Sequence, residues 1–122
     1  MTTNEIGQKL VDLCKAGKNA EAMQTLYATD IVSVEAAARP GRSAETTGLP
    51  ACLAKGKEFA EDAEVHSAKV EGPFPNGDRF TVVFDYDITR RSLGGKRFRM
   101  QEVALYTVKN DKIIREEFFY SV

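Results

Sequence analysis

Residues 78–109 constrain this chain more tightly than any other stretch. In GDRFTVVFDYDIT, Phe80, Val82, Phe84, Tyr86 and Ile88 fall on one face and Thr81, Val83, Asp85, Asp87 and Thr89 on the other. SLGGK follows, and RFRMQEVALYTVK then sets Phe98, Met100, Glu102, Ala104, Tyr106 and Val108 against Arg97, Arg99, Gln101, Val103, Leu105 and Thr107. Sustained alternation of this kind is the mark of half-buried strands, and the glycine turn joins them into an antiparallel hairpin. The two apolar faces must coincide. A three-residue loop, Leu93 to Gly95, achieves this and sets Tyr86 opposite Glu102, Ile88 opposite Met100 and Phe84 opposite Ala104.

Helices come first in the chain. Asn4 is an expected N-cap for a helix that keeps Ile6, Leu10, Leu13 and Cys14 on one face, and Gly17 interrupts it. Asn19 caps a second, with Ala20, Met23, Leu26 and Tyr27 at helical spacing. DIVSVEAA reads as a short strand, and RPGRSAETTG (39–48) as a loop. Pro50 opens a third helix running to about Ala63, with Leu49, Leu53, the stem of Lys57 and Phe59 or Ala60 inward. Strands follow over 64–72, 78–90 and 96–109, and KNDK turns the chain into a last strand, IIREEFFY. Three helices on the N-terminal side, packed on one face of an antiparallel sheet, make an α+β fold in one domain over 1–122.

Seventeen basic against eighteen acidic residues leave a net charge of −1, which supplies no field for nucleic acid or an anionic membrane. MTTNEIGQKL has no apolar leader run, no stretch reaches the length of a membrane span, and Cys14 and Cys52 lack metal spacing. The expectation is a cytoplasmic protein with two reduced thiols and no metal site.

Two carboxylates break the local pattern. Glu35 ends an otherwise apolar strand, and Glu102 is the only charge on its strand face. A carboxylate in apolar surroundings is costly unless it is paired, protonated or solvated. Glu102 either bonds to Tyr86, pairs with Arg115 across the last hairpin, or serves a pocket. Glu35 either reaches water at the strand end or faces that same pocket.

The order of elements, with LYATDIVSVEAA, TTGLPACLAKGKEF, GDRFTVVFDYDIT and YTVKNDKIIREEFFY, resembles the nuclear transport factor 2-like superfamily. The likeness is to its SnoaL-like branch of polyketide cyclases and ketosteroid isomerases, and it spans nearly the whole chain. It implies a cone-shaped α+β barrel, in which a strongly curved sheet wraps around helices and leaves a pocket at the open end, and often a homodimer built through the sheet. Counted from Tyr27 and Asp30, Glu35 takes the place of the isomerase's carboxylate base. Counted back from Tyr106, Glu102 takes that of its neutral acid. The isomerase's tyrosine donor in the first helix falls at Leu10 or Val11, which cannot donate.

The resemblance thus implies Glu35 as base, with Glu102 and Tyr86 as donors to a developing enolate. Tyr27, Phe84, Met100, Tyr106, Phe119 and His66 are the candidates for contact with a small apolar or carbonyl-containing ligand. His66 has the alternative of an outer strand surface. Arg39, Arg42, Arg90 and Arg91 either close on an anionic ligand or are solvated, and only one of Glu116 and Glu117 can point inward. Two functions stand: a cofactor-independent isomerase or cyclase, or a non-catalytic module of the same fold that binds a ligand or a protein. A stripe of Val83, Val103, Leu105 and Phe118 on the sheet's far face is the expected dimer surface.

Overall fold

Thr2, rather than Asn4, starts the first helix: its side chain accepts from the Glu5 backbone while the Glu5 side chain accepts from the Thr2 backbone, a reciprocal cap. The computed structural model describes residues 1–38 and 41–121, so the expectation for Arg39 lies outside the described residues. Helix α1 (Thr3–Lys15) and α2 (Asn19–Leu26) lead into strand β1 (Tyr27–Val34); a short β2 (Glu45–Thr47) and helix α3 (Leu49–Asp62) follow. The chain continues through β3 (Ala63–Asn76), β4 (Arg79–Arg90), a single 3-10 turn, β5 (Lys96–Lys109) and β6 (Lys112–Phe119). Among the described residues these make three α-helices and one curled, unclosed six-stranded sheet, in the order β2-β1-β6-β5-β4-β3. The expected cone-shaped α+β architecture stands. Among the described residues no helix is long and apolar enough to cross a membrane.

Four local expectations are corrected. The sheet is not wholly antiparallel, because β1 runs parallel to β6. Tyr27 begins a strand instead of ending a helix. The β4–β5 loop spans residues 91–95, not three residues, so Tyr86 pairs with Met100, Phe84 with Glu102 and Ile88 with Phe98. The left-handed backbone of Gly94 and Gly95 (φ 67° and 74°) lets this longer turn close. On α3 Leu49 and Phe59 face inward as expected, but they are joined by Cys52, Lys55 and Gly56, while Lys57 is exposed. Gly56 sits against Met23, where a Cβ would lie 2.9 Å from the thioether methyl.

The core gathers where α1 crosses the sheet. Ile6, Leu10 and Val11 pack with Ile31, Phe80, Val82, Ala104 and Ile113, all at most 2% exposed. Gly7 permits the close approach, since a Cβ there would meet Pro73 at 2.7 Å. Register shifts in β3 at Val65/Ser67 and Glu71/Phe74 bend the sheet around this helix.

Arginines 90 and 91 close the far end of the hairpin onto α3. Asp62 accepts from Arg90 Nε (2.5 Å), the Ser92 backbone N–H (2.6 Å) and the Ser92 hydroxyl (2.7 Å), and Arg91 donates to the Glu61 carbonyl. These bonds, those to Ser92 foremost, hold the Asp62 carboxyl down at about 2. A depressed carboxyl stabilises the fold above its unfolded value and loses that contribution as pH falls through the folded one. Asp62→Asn should therefore lower Tm at pH 7, and the gap to wild type should close between about pH 4 and pH 2 in paired thermal melts.

Candidate functional site at the open end of the sheet

One extra residue decides what faces the cone's interior. Thr107 pairs with Arg115 but Val108 with Ile113, so Ile114 bulges out of β6. A bulge reverses the alternation beyond it. Ile113 points inward before it, and Glu116, Phe118 and Tyr120 do so after it. Phe119 is consequently on the outer face, 52% exposed and paired with Val103. Unbroken alternation would put Phe119 in the pocket and Phe118 on the outer stripe; the bulge exchanges them. Of the two adjacent glutamates, Glu116 is the inward one.

Glu116 is 4% exposed. Its two oxygens accept from the hydroxyls of Tyr27 and Ser33, the latter at 2.8 Å. Burial pushes its carboxyl up, and the two hydroxyls pull against that. The Lys55 ammonium donates to Ser33 Oγ at 2.7 Å and to Glu35 Oε1 at 2.9 Å. Tyr120 donates to Glu35 Oε2 at 2.9 Å. A continuous polar chain therefore runs Tyr27–Glu116–Ser33–Lys55–Glu35–Tyr120, from the core to the open end. Lys55 and Glu35 are 30% and 29% exposed, so the pair stands at the boundary with solvent.

Glu102 lies beside the outer end of this chain, on β5 just beyond the last β5–β6 pair, Val103–Phe119. Arg115 does not neutralise it, being bonded to Glu117 at 2.8 Å. Tyr86 shares its face one pair along the hairpin, stacked on Phe84 at 5.9 Å. Among the described residues none hydrogen-bonds to the Glu102 carboxyl. Burial, with the charges of Glu35 and Glu116 added, pushes that carboxyl up to about 7, and the Lys55 cation opposes the rise.

Other candidates are placed elsewhere. His66 is exposed and bonded to Thr89 at 2.7 Å on the outer face, so it takes its alternative. Arg42 pairs with Glu58 at the surface. Tyr106, 2% exposed and stacked on Phe80 at 4.9 Å, belongs to the core. Tyr27 is buried as a partner of Glu116, Phe84 is buried, and Met100 is half-buried on the Glu102 face. Asp85 and Asp87 are outside, bonded to Arg99 and Arg97. Lys55, Ser33 and Tyr120 are the members that sequence patterning missed. Two surface depressions lie away from this cluster, one lined by Phe74, Arg79 and Leu105 and the other by Met1, Lys9 and Leu26. Among the described residues no group of three His, Cys, Asp or Glu could hold a metal ion.

A family profile described as SnoaL-like domain matches residues 1–120. A crystal structure from Mesorhizobium loti, provisionally named a SnoaL-like polyketide cyclase with "carbohydrate phosphatase" in brackets, is 43% identical, with TM-score 0.92 over 98% of this chain and 100% of that one. Two further crystal structures share the fold. A nuclear transport factor 2-like protein from Burkholderia thailandensis has 20% identity and TM-score 0.81, over 99% of this chain and 92% of that one. A protein of cystatin-like fold from Xanthomonas campestris has 14% identity and TM-score 0.78, over 100% and 92%. Comparison with curated proteins gives no match.

The raised Glu102 carboxyl has a cost in stability. A carboxyl raised in the folded state stabilises fully below its unfolded value, and that contribution is lost as pH rises through the folded one. For a rise from 4.5 to about 7 the loss is at most roughly 3 kcal/mol. Glu102→Gln should remove this dependence, so urea denaturation should find the variant more stable than wild type at pH 8 and the gap reduced at pH 4.5.

Proposed function

Because the chain belongs to the SnoaL-like domain family, we propose that its open end handles a small carbonyl compound by cofactor-independent proton transfer, as an isomerase or cyclase does, with Glu102 as the group that takes and returns the proton. One observation carries this reading: Glu102 alone among the carboxylates of the mouth has no hydrogen-bond partner among the described residues, and its carboxyl sits at about 7. A general base works best with a pKa near the operating pH and a free lone pair aimed at the substrate. Glu35 has neither oxygen free, since Lys55 and Tyr120 hold both. This geometry favours Glu35 as the residue that positions Lys55 and Tyr120, and moves the base from Glu35, where the resemblance put it, to Glu102. Tyr86, Met100 and Phe118 provide apolar surface for the ligand's body.

Hydrogen exchange into cyclic ketones and β-keto esters in heavy water, followed by NMR, tests the proposal. Wild type should exchange the acidic carbon position above background, with a rate that rises through pH 7 and then levels. Glu102→Gln should lose about 10²–10⁴ of it. Exchange unchanged in that variant, or none in wild type with any ketone of the panel, defeats the catalytic reading. The second reading, a non-catalytic ligand-binding module, is favoured by the engagement of both Glu35 oxygens; binding of a panel member without exchange would establish it.

A homodimer through the outer sheet face is a further part of the proposal. Val83, Val103, Leu105 and Phe119 form its apolar stripe, and the Asp85–Arg99 and Asp87–Arg97 pairs beside it present both charges, so the patch is complementary to a second copy of itself. Sedimentation at micromolar concentration should report twice 13.5 kDa, and Phe119→Asp should give the monomer.

A further inference from the structure

We propose that Lys55 is the electrophile of the mouth: its ammonium receives the oxygen of a ketone or β-dicarbonyl ligand and holds it as the enolate. This deepens the proton-transfer reading and rests on it for the destination of the proton. If Glu102 accepts the proton, it cannot also be the donor that stabilises the oxygen, so another group must meet the developing charge. The first helix supplies none. Leu10 and Val11, where the resemblance would put a donor, are 2% and 0% exposed in the apolar core.

Lys55 meets the requirement by geometry. An ammonium carries three donors. Ser33 Oγ takes one at 2.7 Å and Glu35 Oε1 another at 2.9 Å. The third is taken by no described residue, on a side chain 30% open to solvent. The ammonium is also fixed from below. Ser33 is held by Glu116, which Tyr27 holds in turn, and the Phe118 ring lies 5.7 Å from the charge. A donor anchored this way needs little reorganisation when charge develops.

The step balances within the site. The C–H bond beside the ligand's carbonyl breaks and its proton passes to the Glu102 carboxylate. The bonding pair becomes the new C=C bond, and the carbonyl π pair moves onto oxygen against the Lys55 ammonium. Lys55 remains protonated throughout. Return of the proton from Glu102 to carbon restores the carbonyl. The groups that face Glu102 are Lys55 on α3, Glu35 beyond β1, Glu116 on β6, Tyr120 beyond β6, Tyr86 on β4 and Tyr106 on β5. Lys55 is the only cation of the set.

4-Nitrophenol, whose ionised form is coloured, is the probe. Wild type should bind it as the phenolate, with the ratio of ionised to neutral dye raised about tenfold over free solution at the same pH. Lys55→Met should abolish that rise and Lys55→Arg should keep most of it. Glu35→Gln removes the anion that competes for the ammonium and should tighten phenolate binding. Dye that does not bind wild type, binds as the neutral phenol, or ionises equally on Lys55→Met overturns the proposal. If Lys55→Met does not fold, the Glu35→Gln arm decides, and unchanged or weaker phenolate binding overturns it. Glu102→Gln should leave the dye ionised. In wild type, dye ionisation without exchange defeats the role of Glu102 and spares Lys55, whereas exchange without dye ionisation defeats Lys55 alone.

Discussion

A carboxylate buried among apolar side chains organises this protein. Glu116 loses its hydration inside the cone, a cost of several kcal/mol for an ion in such a place. Two hydroxyl donors, Tyr27 and Ser33, each return about 1.5–3 kcal/mol as bonds to a charged group. The balance is near zero, so the arrangement does little for stability in sum. Its effect is geometric. Both donors stand on β1, which β6 meets in parallel, so the bonds hold the two strands in register. Ser33 then has its lone pairs turned to Lys55, and the lysine is carried to the open end with its charge in a fixed place.

Much of the frame is legible in the sequence because alternation over long strands leaves few choices. The faces of residues 78–90 and 96–109 can be read directly, since a register error of two residues keeps every side chain on its own face. That is the error the glycine turn produces: the five residues 91–95 include a 3-10 turn that composition does not distinguish from a shorter loop. The partner of Glu102 changes from Tyr86 to Phe84, but Glu102 stays inside. Its misfit with the apolar face is therefore visible from alternation alone.

The last strand behaves differently because its irregularity is of one residue. A bulge at Ile114 exchanges inside and outside beyond it, and nothing in KIIREEFFY marks which isoleucine will be extruded. Phe118 and Phe119 trade places, and Glu116 becomes the buried acid. Lys55 is hidden for a related reason. On an amphipathic helix a lysine reads as solvated, and the spacing of Leu53 and Lys57 after Leu49 suggests an inward side, whereas Cys52 and Gly56, the latter against Met23, follow Leu49 inward. A shift of the helical face by about one position separates Lys57 in water from Lys55 bonded to Ser33 and Glu35. A buried polar partner such as Ser33 is the signal that finds such a lysine, and only the fold brings the two together.

The two carboxylates that break the sequence pattern differ in what surrounds them. Glu35 is gripped by a cation and a phenol, so each oxygen has its charge spent locally. Glu102 faces the same opening from β5 with apolar neighbours and the negative charges of Glu35 and Glu116 behind it. Ionising Glu102 places its charge beside Glu35 and Glu116, and that repulsion adds to poor solvation in raising its carboxyl to about 7. Two glutamates a few side chains apart thus differ in kind: Glu35 has both oxygens hydrogen-bonded, while Glu102 has no such partner among the described residues and a raised carboxyl. The difference depends on Lys55 pairing with Glu35 and leaving Glu102 alone. Ser33 imposes that choice, because it anchors the ammonium on the β1 side of the mouth, and the buried Glu116 imposes it on Ser33.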